Sequence, residues 1–270
     1  MSNDAIGVFD SGLGGLTAVK EIMKKLPNEK IIYFGDTGRV PYGSKSDDTI
    51  IKYVKSDINF LLTFPLKYIV VACGTASTVA LPKIKNLYNI PITGVVDAAV
   101  YRAIHETKNK KIGVIGTSGT IKSGAYERLL KEKDSEIETV SMACPLFVPL
   151  VENGHCDTEV TRLVIEEYLT GIKEKGVDTL ILGCTHYPHL KDAIGRFMGD
   201  NVFLVDPGLE VADYLSKKLC EKGMLAEEKG KNDQYKFYVS DTPDGFARLG
   251  GQFLDKDIEG MITQIDIEKY

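Results

Sequence analysis

The sequence predicts an α/β fold of two pseudo-symmetric domains, each a mostly parallel sheet covered by helices, with the active site in the cleft between them. Three observations carry that expectation. Short apolar, β-branched runs alternate with helical spacings along the whole chain, which is the signature of α/β architecture. The runs lack clean period-two alternation and end in Gly, Asp, Cys, Thr or Ser, as strands buried on both faces do. Several run-and-turn segments also recur in the same order at offsets of 106 to 111 residues.

Strands are expected at residues 6–9, 31–34, 68–72, 92–96, 112–115, 179–182 and 202–205, with a late strand at 237–240. Helical spacing covers 17–26, 211–219 and 246–254. It also covers 159–169, where Val160, Leu163, Val164 and Glu167 share one face and are expected to turn inward. The lysine- and glutamate-rich stretch 227–233 reads as a solvated loop.

The repeat pairs Ile6-Gly7-Val8-Phe9-Asp10 with Ile112-Gly113-Val114-Ile115-Gly116, and Val40-Pro41 with Val148-Pro149. It continues with Val71-Ala72-Cys73-Gly74-Thr75 against Leu182-Gly183-Cys184-Thr185, and Val95-Val96-Asp97 against Leu204-Val205-Asp206. All βα units look somewhat alike, but four pairs in one order favour duplication. The segment after Asp206 is expected to return to the first half. That makes residues 1–97 plus 207–270 one domain and 98–206 the other.

The chain has 270 residues, which suits one large domain or two small ones. Its 43% hydrophobic and 26% charged residues exclude disorder and collagen-like structure. With 33 Lys+Arg against 38 Asp+Glu the formal charge is −5, which argues against nucleic acid as a partner. The N-terminus lacks the basic start and apolar core of a signal peptide. No run approaches the roughly 18 apolar residues that span a bilayer. A cytoplasmic protein without membrane contact is expected, and its five cysteines (73, 144, 156, 184 and 220) are expected as free thiols.

Asp10-Ser11-Gly12-Leu13-Gly14-Gly15-Leu16-Thr17 is a glycine-rich turn between a strand and a helix, a natural anion site. It lacks the Gly-Lys-Ser/Thr of a P-loop, and Thr17 stands where a dinucleotide fingerprint needs its third glycine. A small carboxylate suits it better than a nucleotide, and a tight turn without a ligand is the plainer alternative.

Cys73 and Cys184 each follow a strand and precede a helix start. In an open parallel sheet the strand carboxyl ends form the ligand crevice. A helix N-terminus contributes up to about 2 kcal/mol, which would bring a thiol from about 8.5 to about 7. Two thiols, one per half, suit a reaction that removes a proton from one face of a carbon and returns one to the other. Cys144, Cys156 and Cys220 have no such context and read as inert core. His186, two residues past Cys184, can relay its proton, and Asp10 at a strand end can do the same for Cys73. His105 and His155 have no partner readable from sequence. Metal binding by Cys184, His186 and His189 is a rival, weakened because the chain has no C-x-x-C pair.

Four motifs resemble the glutamate racemase family: Ile6–Thr17, Phe34-Gly35-Asp36-Thr37-Gly38-Arg39-Val40-Pro41-Tyr42-Gly43, Val71-Ala72-Cys73-Gly74-Thr75-Ala76-Ser77 and Leu182-Gly183-Cys184-Thr185-His186-Tyr187-Pro188. The resemblance runs nearly end to end. It implies interconversion of L- and D-glutamate without a cofactor, supplying D-glutamate for bacterial peptidoglycan. It implies Cys73 and Cys184 as the catalytic thiols, with Asp10, His186 and Glu152 assisting. It implies substrate contacts at Asp10, Ser11, Tyr42, Gly43, Gly74, Thr75, Thr117, Thr120, Thr185 and His186. The chain departs from the common pattern at Gly74, where many members carry Asn. That removes one side-chain amide and leaves the Gly74 and Thr75 N–H groups as donors. Glutamate is the expected partner, no metal is expected, and a homodimer stands as one assembly to test. The rivals are an aspartate racemase of the same superfamily, whose substrate is one methylene shorter, and a non-catalytic amino-acid-binding protein. The latter gives no reason for matched cysteines.

Overall fold

In a computed structural model, which describes residues 3–227 and 234–270, the strands fall into two separate sheets. They are β1 (Ala5–Asp10), β2 (Ile31–Gly35), β3 (Leu66–Val71), β4 (Ile92–Gly94), β5 (Lys111–Gly116), β6 (Glu138–Ala143), β7 (Thr179–Leu182), β8 (Phe203–Val205), β9 (Tyr235–Val239) and β10 (Ile262–Gln264). The first sheet has the order β10-β9-β2-β1-β3-β4 and the second β6-β5-β7-β8. Every recorded pairing is parallel. The run β2-β1-β3-β4 is therefore the same arrangement as β6-β5-β7-β8, the structural counterpart of the repeat read in the sequence. The tail adds β9 and β10 beside β2.

The helices are α1 (Leu16–Lys25), α2 (Asp47–Leu61), α3 (Gly74–Val79), α4 (Leu81–Ile84), α5 (Val95–Glu106), α6 (Ser118–Lys122), α7 (Ala125–Lys133), α8 (Phe147–Glu152), α9 (Glu159–Glu174), α10 (Lys191–Met198), α11 (Pro207–Glu221) and α12 (Pro243–Leu254). Local chemistry starts several of them. Ser46 and Thr158 accept the Thr49 and Thr161 N–H groups as N-caps. Asp206 caps α11 through the Gly208 N–H at 2.9 Å, with Pro207 in the first turn. Lys24 and Lys25 close α1 against the negative end of its dipole.

Alternation along the central strands splits the core. Ile6, Val8, Ile31, Tyr33 and Val70 face one side of the first sheet, where the apolar cluster runs on through α5 and α11 residues into the second sheet. Phe9, Phe34, Ile69 and Val71 face the other, packed on α2 and α3 residues such as Val54, Ile58 and Ala76. Burial on both faces explains why these strands read as continuous apolar runs. Among the described residues no helix is long and apolar enough to cross a membrane.

Several expectations change. Residues 92–96 were expected as one strand, but β4 stops at Gly94 and Val95 opens α5. Asp97 then lies in the first turn of α5, a favoured place for a carboxylate. Helix α9 turns Thr161, Ile165, Leu169 and Ile172 inward, while Val160 (56% exposed) and Leu163 (51%) face out. The inward stripe at i, i+4, i+8 and i+11 contains a threonine, so apolarity alone misassigned the face. Strands β6 and β10 have no counterpart in the sequence reading. Both end a sheet, and both are only partly buried or exposed, so they carry no apolar run. The loop read at 227–233 lies, from 228 on, outside the described residues.

Ile6 is completely buried at the centre of the first sheet. Ile6→Ala is expected to cost about 2–5 kcal/mol through lost contacts and a residual cavity, seen in urea as a lower midpoint with an unchanged slope.

Candidate active site

The carboxyl ends of both sheets open onto one cavity of about 400 Å³. Loops following β1, β2 and β3 form one wall, and loops following β5, β6 and β7 form the other. Every residue that the resemblance implied as catalytic or substrate-contacting lines it: Asp10, Ser11, Tyr42, Gly43, Cys73, Gly74, Thr75, Thr117, Thr120, Glu152, Cys184, Thr185 and His186. Apolar wall comes from Leu13, Val40, Pro41, Pro145, Val148 and Pro149. The repeated Val-Pro pairs thus face each other across the cleft, although Pro41 follows a cis bond before a single 3-10 turn and Pro149 sits inside α8.

On the first wall, Asp10 ends β1 and ties down the glycine-rich turn. Its Oδ2 accepts the N–H groups of Gly12 (3.2 Å) and Gly15 (3.0 Å). The expected anion site is therefore filled by the protein's own carboxylate. Tyr33 braces the same turn by donating to the Gly12 carbonyl at 2.7 Å. Oδ1 of Asp10 is buried without a hydrogen-bond partner. Burial raises the Asp10 carboxyl, offset in part by the His186 charge and the turn's N–H groups.

Cys73 caps α3, its Sγ accepting the Ala76 N–H at 3.4 Å and donating to Ser11 Oγ at 3.4 Å. The expected lowering of this thiol does not occur. Burial first, and the neighbouring Asp10 carboxylate second, push it up to about 12. Desolvation outweighs the helix end because α3 has only six residues and the sulfur is buried. Cys73 therefore carries its proton at neutral pH.

The second wall has the opposite polarity. Cys184 precedes a short 3-10 turn, Tyr187–Leu190, rather than an α-helix N-terminus. Its neighbour is a cation. His186 Nδ1 lies 3.9 Å from Cys184 Sγ, and Nε2 lies 2.9 Å from Glu152 Oε1. Burial opposes charge on His186, but the contacts with Cys184 and Glu152 outweigh it and hold the imidazolium up to about 10.

Three threonines meet between the walls: Thr75 Oγ1 is 2.9 Å from Thr117 Oγ1 and 3.3 Å from Thr120 Oγ1. Tyr42 turns its hydroxyl away from the cavity to Asp57 (2.8 Å) and Asp36, leaving the rest of the residue to line it. Arg39 ties the same two carboxylates, so a buried network holds the 40–44 loop. His189 does not join the site; its ring stacks on Phe253 at 3.9 Å. Burial and then the His186 charge lower it to about 4. Among the described residues no three His, Cys, Asp or Glu side chains converge to hold a metal ion.

Of the remaining cysteines Cys144 is buried and Cys156 is half-buried against the core, but Cys220 on α11 is exposed, so the core reading fails for Cys220, where spacing alone carries no sign of burial. Sequence reasoning also missed Tyr33 and Thr17, whose Oγ1 donates to Gly14 O (2.9 Å) and Thr185 O (3.0 Å) and so bridges the walls. Thr17 ends the glycine motif already singled out, which was the available signal.

Residues 26–215 match the family described as Asp/Glu/Hydantoin racemase. The chain is 47% identical over 264 residues to a glutamate racemase from Geobacter metallireducens, covering 98% of this chain and 97% of that one. Among solved structures it resembles a Bacillus anthracis glutamate racemase isoform (TM-score 0.93, 39% identity, 97% of each chain). It also resembles the Francisella tularensis glutamate racemase in complex with D-glutamate (TM-score 0.92, 40% identity, 100% of each chain).

A group whose pKa rises on folding adds stability that is complete below its unfolded value and is lost above the folded one. For His186 that window runs from about 6.5 to about 10. Glu152→Gln removes one of its two partners. The His186 ring titration, followed by NMR, is expected to fall by about one unit, and less at high salt because Glu152 is exposed. An unchanged titration would contradict the Glu152 contact.

Proposed function

The chain belongs to the Asp/Glu/Hydantoin racemase family, and we propose that it is a glutamate racemase that interconverts L- and D-glutamate by two-thiol proton transfer, without a cofactor. The observation that carries the mechanism is the opposite charge setting of the two cavity thiols. Cys73 holds its proton beside Asp10, and Cys184 sits beside an imidazolium.

Glutamate between the walls presents its α-carbon to both sulfurs. The Cys184 thiolate takes the α-proton on one face, the electron pair moves into the α-carboxylate, and the Cys73 thiol returns a proton to the opposite face. Cys73 is left as thiolate and Cys184 as thiol, which is the arrangement needed for the reverse direction. His186, held by Glu152, stabilises the charge on Cys184, and Asp10 assists Cys73. Ser11 touches the Cys73 sulfur and shares in that assistance.

The α-carbanion needs donors where charge builds up. The hydroxyls of Thr75, Thr117 and Thr120, with the first-turn N–H groups of Gly74 and Thr75, suit a carboxylate. The Asp10 carboxylate at the cavity lining suits the substrate ammonium. Tyr42, Gly43 and Thr185 complete the contacts, and the apolar wall excludes water, which strengthens all of them.

Residues 1–97 with 207–270 form one domain under this reading, and 98–206 the other. The sheet memberships support it, with β1–β4, β9 and β10 in one sheet and β5–β8 in the other. We assign the enzyme to the cytoplasm, where free thiols persist and D-glutamate enters peptidoglycan synthesis, with a homodimer as one assembly to test.

The test is L-glutamate in D₂O with purified protein and no added cofactor. Optical rotation is expected to decay to zero as deuterium enters Cα. Cys73→Ser and Cys184→Ser are each expected to slow racemisation by about 10²–10⁴-fold. Racemisation of aspartate but not glutamate would move the substrate, and exchange of neither would overturn the reading.

A further inference from the structure

The turn that carries Cys184 and His186 is built from backbone bonds between residues three apart, and one bond of the series is missing. The Tyr187 N–H donates to the Cys184 carbonyl at 3.1 Å, and the His189 N–H to the His186 carbonyl at 3.1 Å. The bond between them would run from residue 188 to the Thr185 carbonyl. Residue 188 is proline, which has no N–H to give. A backbone acceptor left unpaired away from water is costly. Among the described residues the donor to this one is the Thr17 hydroxyl, at 3.0 Å and from 168 positions away.

Thr17 can serve that carbonyl because its own turn is already closed. The Thr17 N–H donates to the Gly14 carbonyl at 3.0 Å. The hydroxyl lies 2.9 Å from the same oxygen, but its one hydrogen is not needed there. Thr17 is buried, and Asp10 fixes the turn before it through the Gly12 and Gly15 N–H groups. Thr185 stands between Cys184 and His186, and its carbonyl shares one planar unit with the His186 N–H and Cα. Holding that oxygen therefore orients the unit from which the His186 ring approaches Cys184 Sγ, 3.9 Å from Nδ1. We infer that Thr17 is a positioning residue for the racemase reaction: its hydroxyl replaces the bond that Pro188 omits and fixes the Cys184–His186 turn against the opposite wall of the cleft. The inference rests on the proposed two-thiol reading for its catalytic consequence, while the bond itself stands apart from it.

Cys73 has its own partners in Ser11 and Ala76, so losing the Thr17 hydroxyl displaces one thiol and spares the other. Inversion passes two proton transfers in series, one at each sulfur. A displaced Cys184 slows the transfer it makes, and displacements near 1 Å cost about 10²-fold. Deuterium at the substrate α-carbon slows only the abstraction, because the returned hydrogen comes from the thiol. With the enantiomer whose proton Cys184 takes, abstraction then limits the rate more fully and the isotope effect rises. With the other enantiomer Cys73 abstracts, the later transfer limits, and the isotope effect falls. A merely structural loss of folded enzyme scales every rate alike and leaves both isotope effects unchanged.

The experiment compares wild type, Thr17→Val and Thr17→Ser with L- and D-glutamate, each carrying hydrogen or deuterium at Cα. Valine keeps the shape and removes the donor, whereas serine keeps the hydroxyl. Thr17→Val is expected to lose about 10-fold in kcat, more than any change in KM. Its isotope effect on kcat/KM is expected to rise with one enantiomer and fall with the other. Thr17→Ser is expected to stay within about threefold of wild type, with both isotope effects unchanged. Isotope effects in Thr17→Val that match wild type for both enantiomers, whatever its kcat, would overturn the inference. So would a Thr17→Ser variant that behaves like Thr17→Val. If Thr17→Val does not fold, Thr17→Ala carries the same readouts, and unchanged isotope effects there overturn it. If wild type does not racemise glutamate, the functional reading fails. Alkylation by iodoacetamide, followed by peptide mass, then decides the bond alone. Removing the hydroxyl is expected to raise the rate at Cys184 relative to Cys73 by about threefold or more, and an unchanged ratio overturns it.

Discussion

All of the recorded strand pairings are parallel, and that constraint governs everything else in the molecule. Parallel strands send every returning segment over a face as a helix and release every forward loop at one edge. Two sheets built this way each present a single chemically rich edge, and here the edges oppose each other across a cavity of about 400 Å³. Thirteen site residues from loops far apart in sequence meet there without any of them being sequence neighbours across the cleft.

The repeated scaffold carries an unequal chemistry. The strand order β2-β1-β3-β4 recurs as β6-β5-β7-β8, and Cys73 and Cys184 hold matching places after β3 and β7. Their partners do not match. Asp10 puts a carboxylate next to one sulfur, while His186 and Glu152 put a relayed cation next to the other. The neighbouring charges break the symmetry of the scaffold, with a carboxylate beside one sulfur and an imidazolium beside the other.

Holding that arrangement requires buried polar groups, and the chain satisfies them by concentrating them. Asp36, Arg39, Tyr42, Asp57 and Ser240 form one network under the 36–44 loop. Burial together with the adjacent Asp36 raises Asp57 well above the usual carboxylate range. Such a cluster is a poor source of net stability but strongly disfavours alternative loop conformations once its members are paired. The Asp10 carboxylate plays the same part for the glycine-rich turn, occupying donors that would otherwise have been open to a ligand.

The sequence by itself determined the α/β class, most strands, the return of the tail to the first sheet and the two thiol positions. Those are local signals: apolar runs, turn residues and the residues that follow a strand. It was misled where the relevant quantity is not local. Val160 and Leu163 are apolar yet exposed, because the inward face of α9 is chosen by what the helix lies against. Strand β6 stayed hidden because a partly buried edge needs no apolar run. The Cys73 thiol goes up rather than down because desolvation and the Asp10 charge, set by residues 63 positions away, exceed the pull of a six-residue helix. Glu152 meets His186 across 34 positions of chain, and Thr17 meets Thr185 across 168. Periodicity reports which way a side chain points along its own element; electrostatic partners and interatomic gaps exist only once separate elements have packed, so tertiary structure alone decided them.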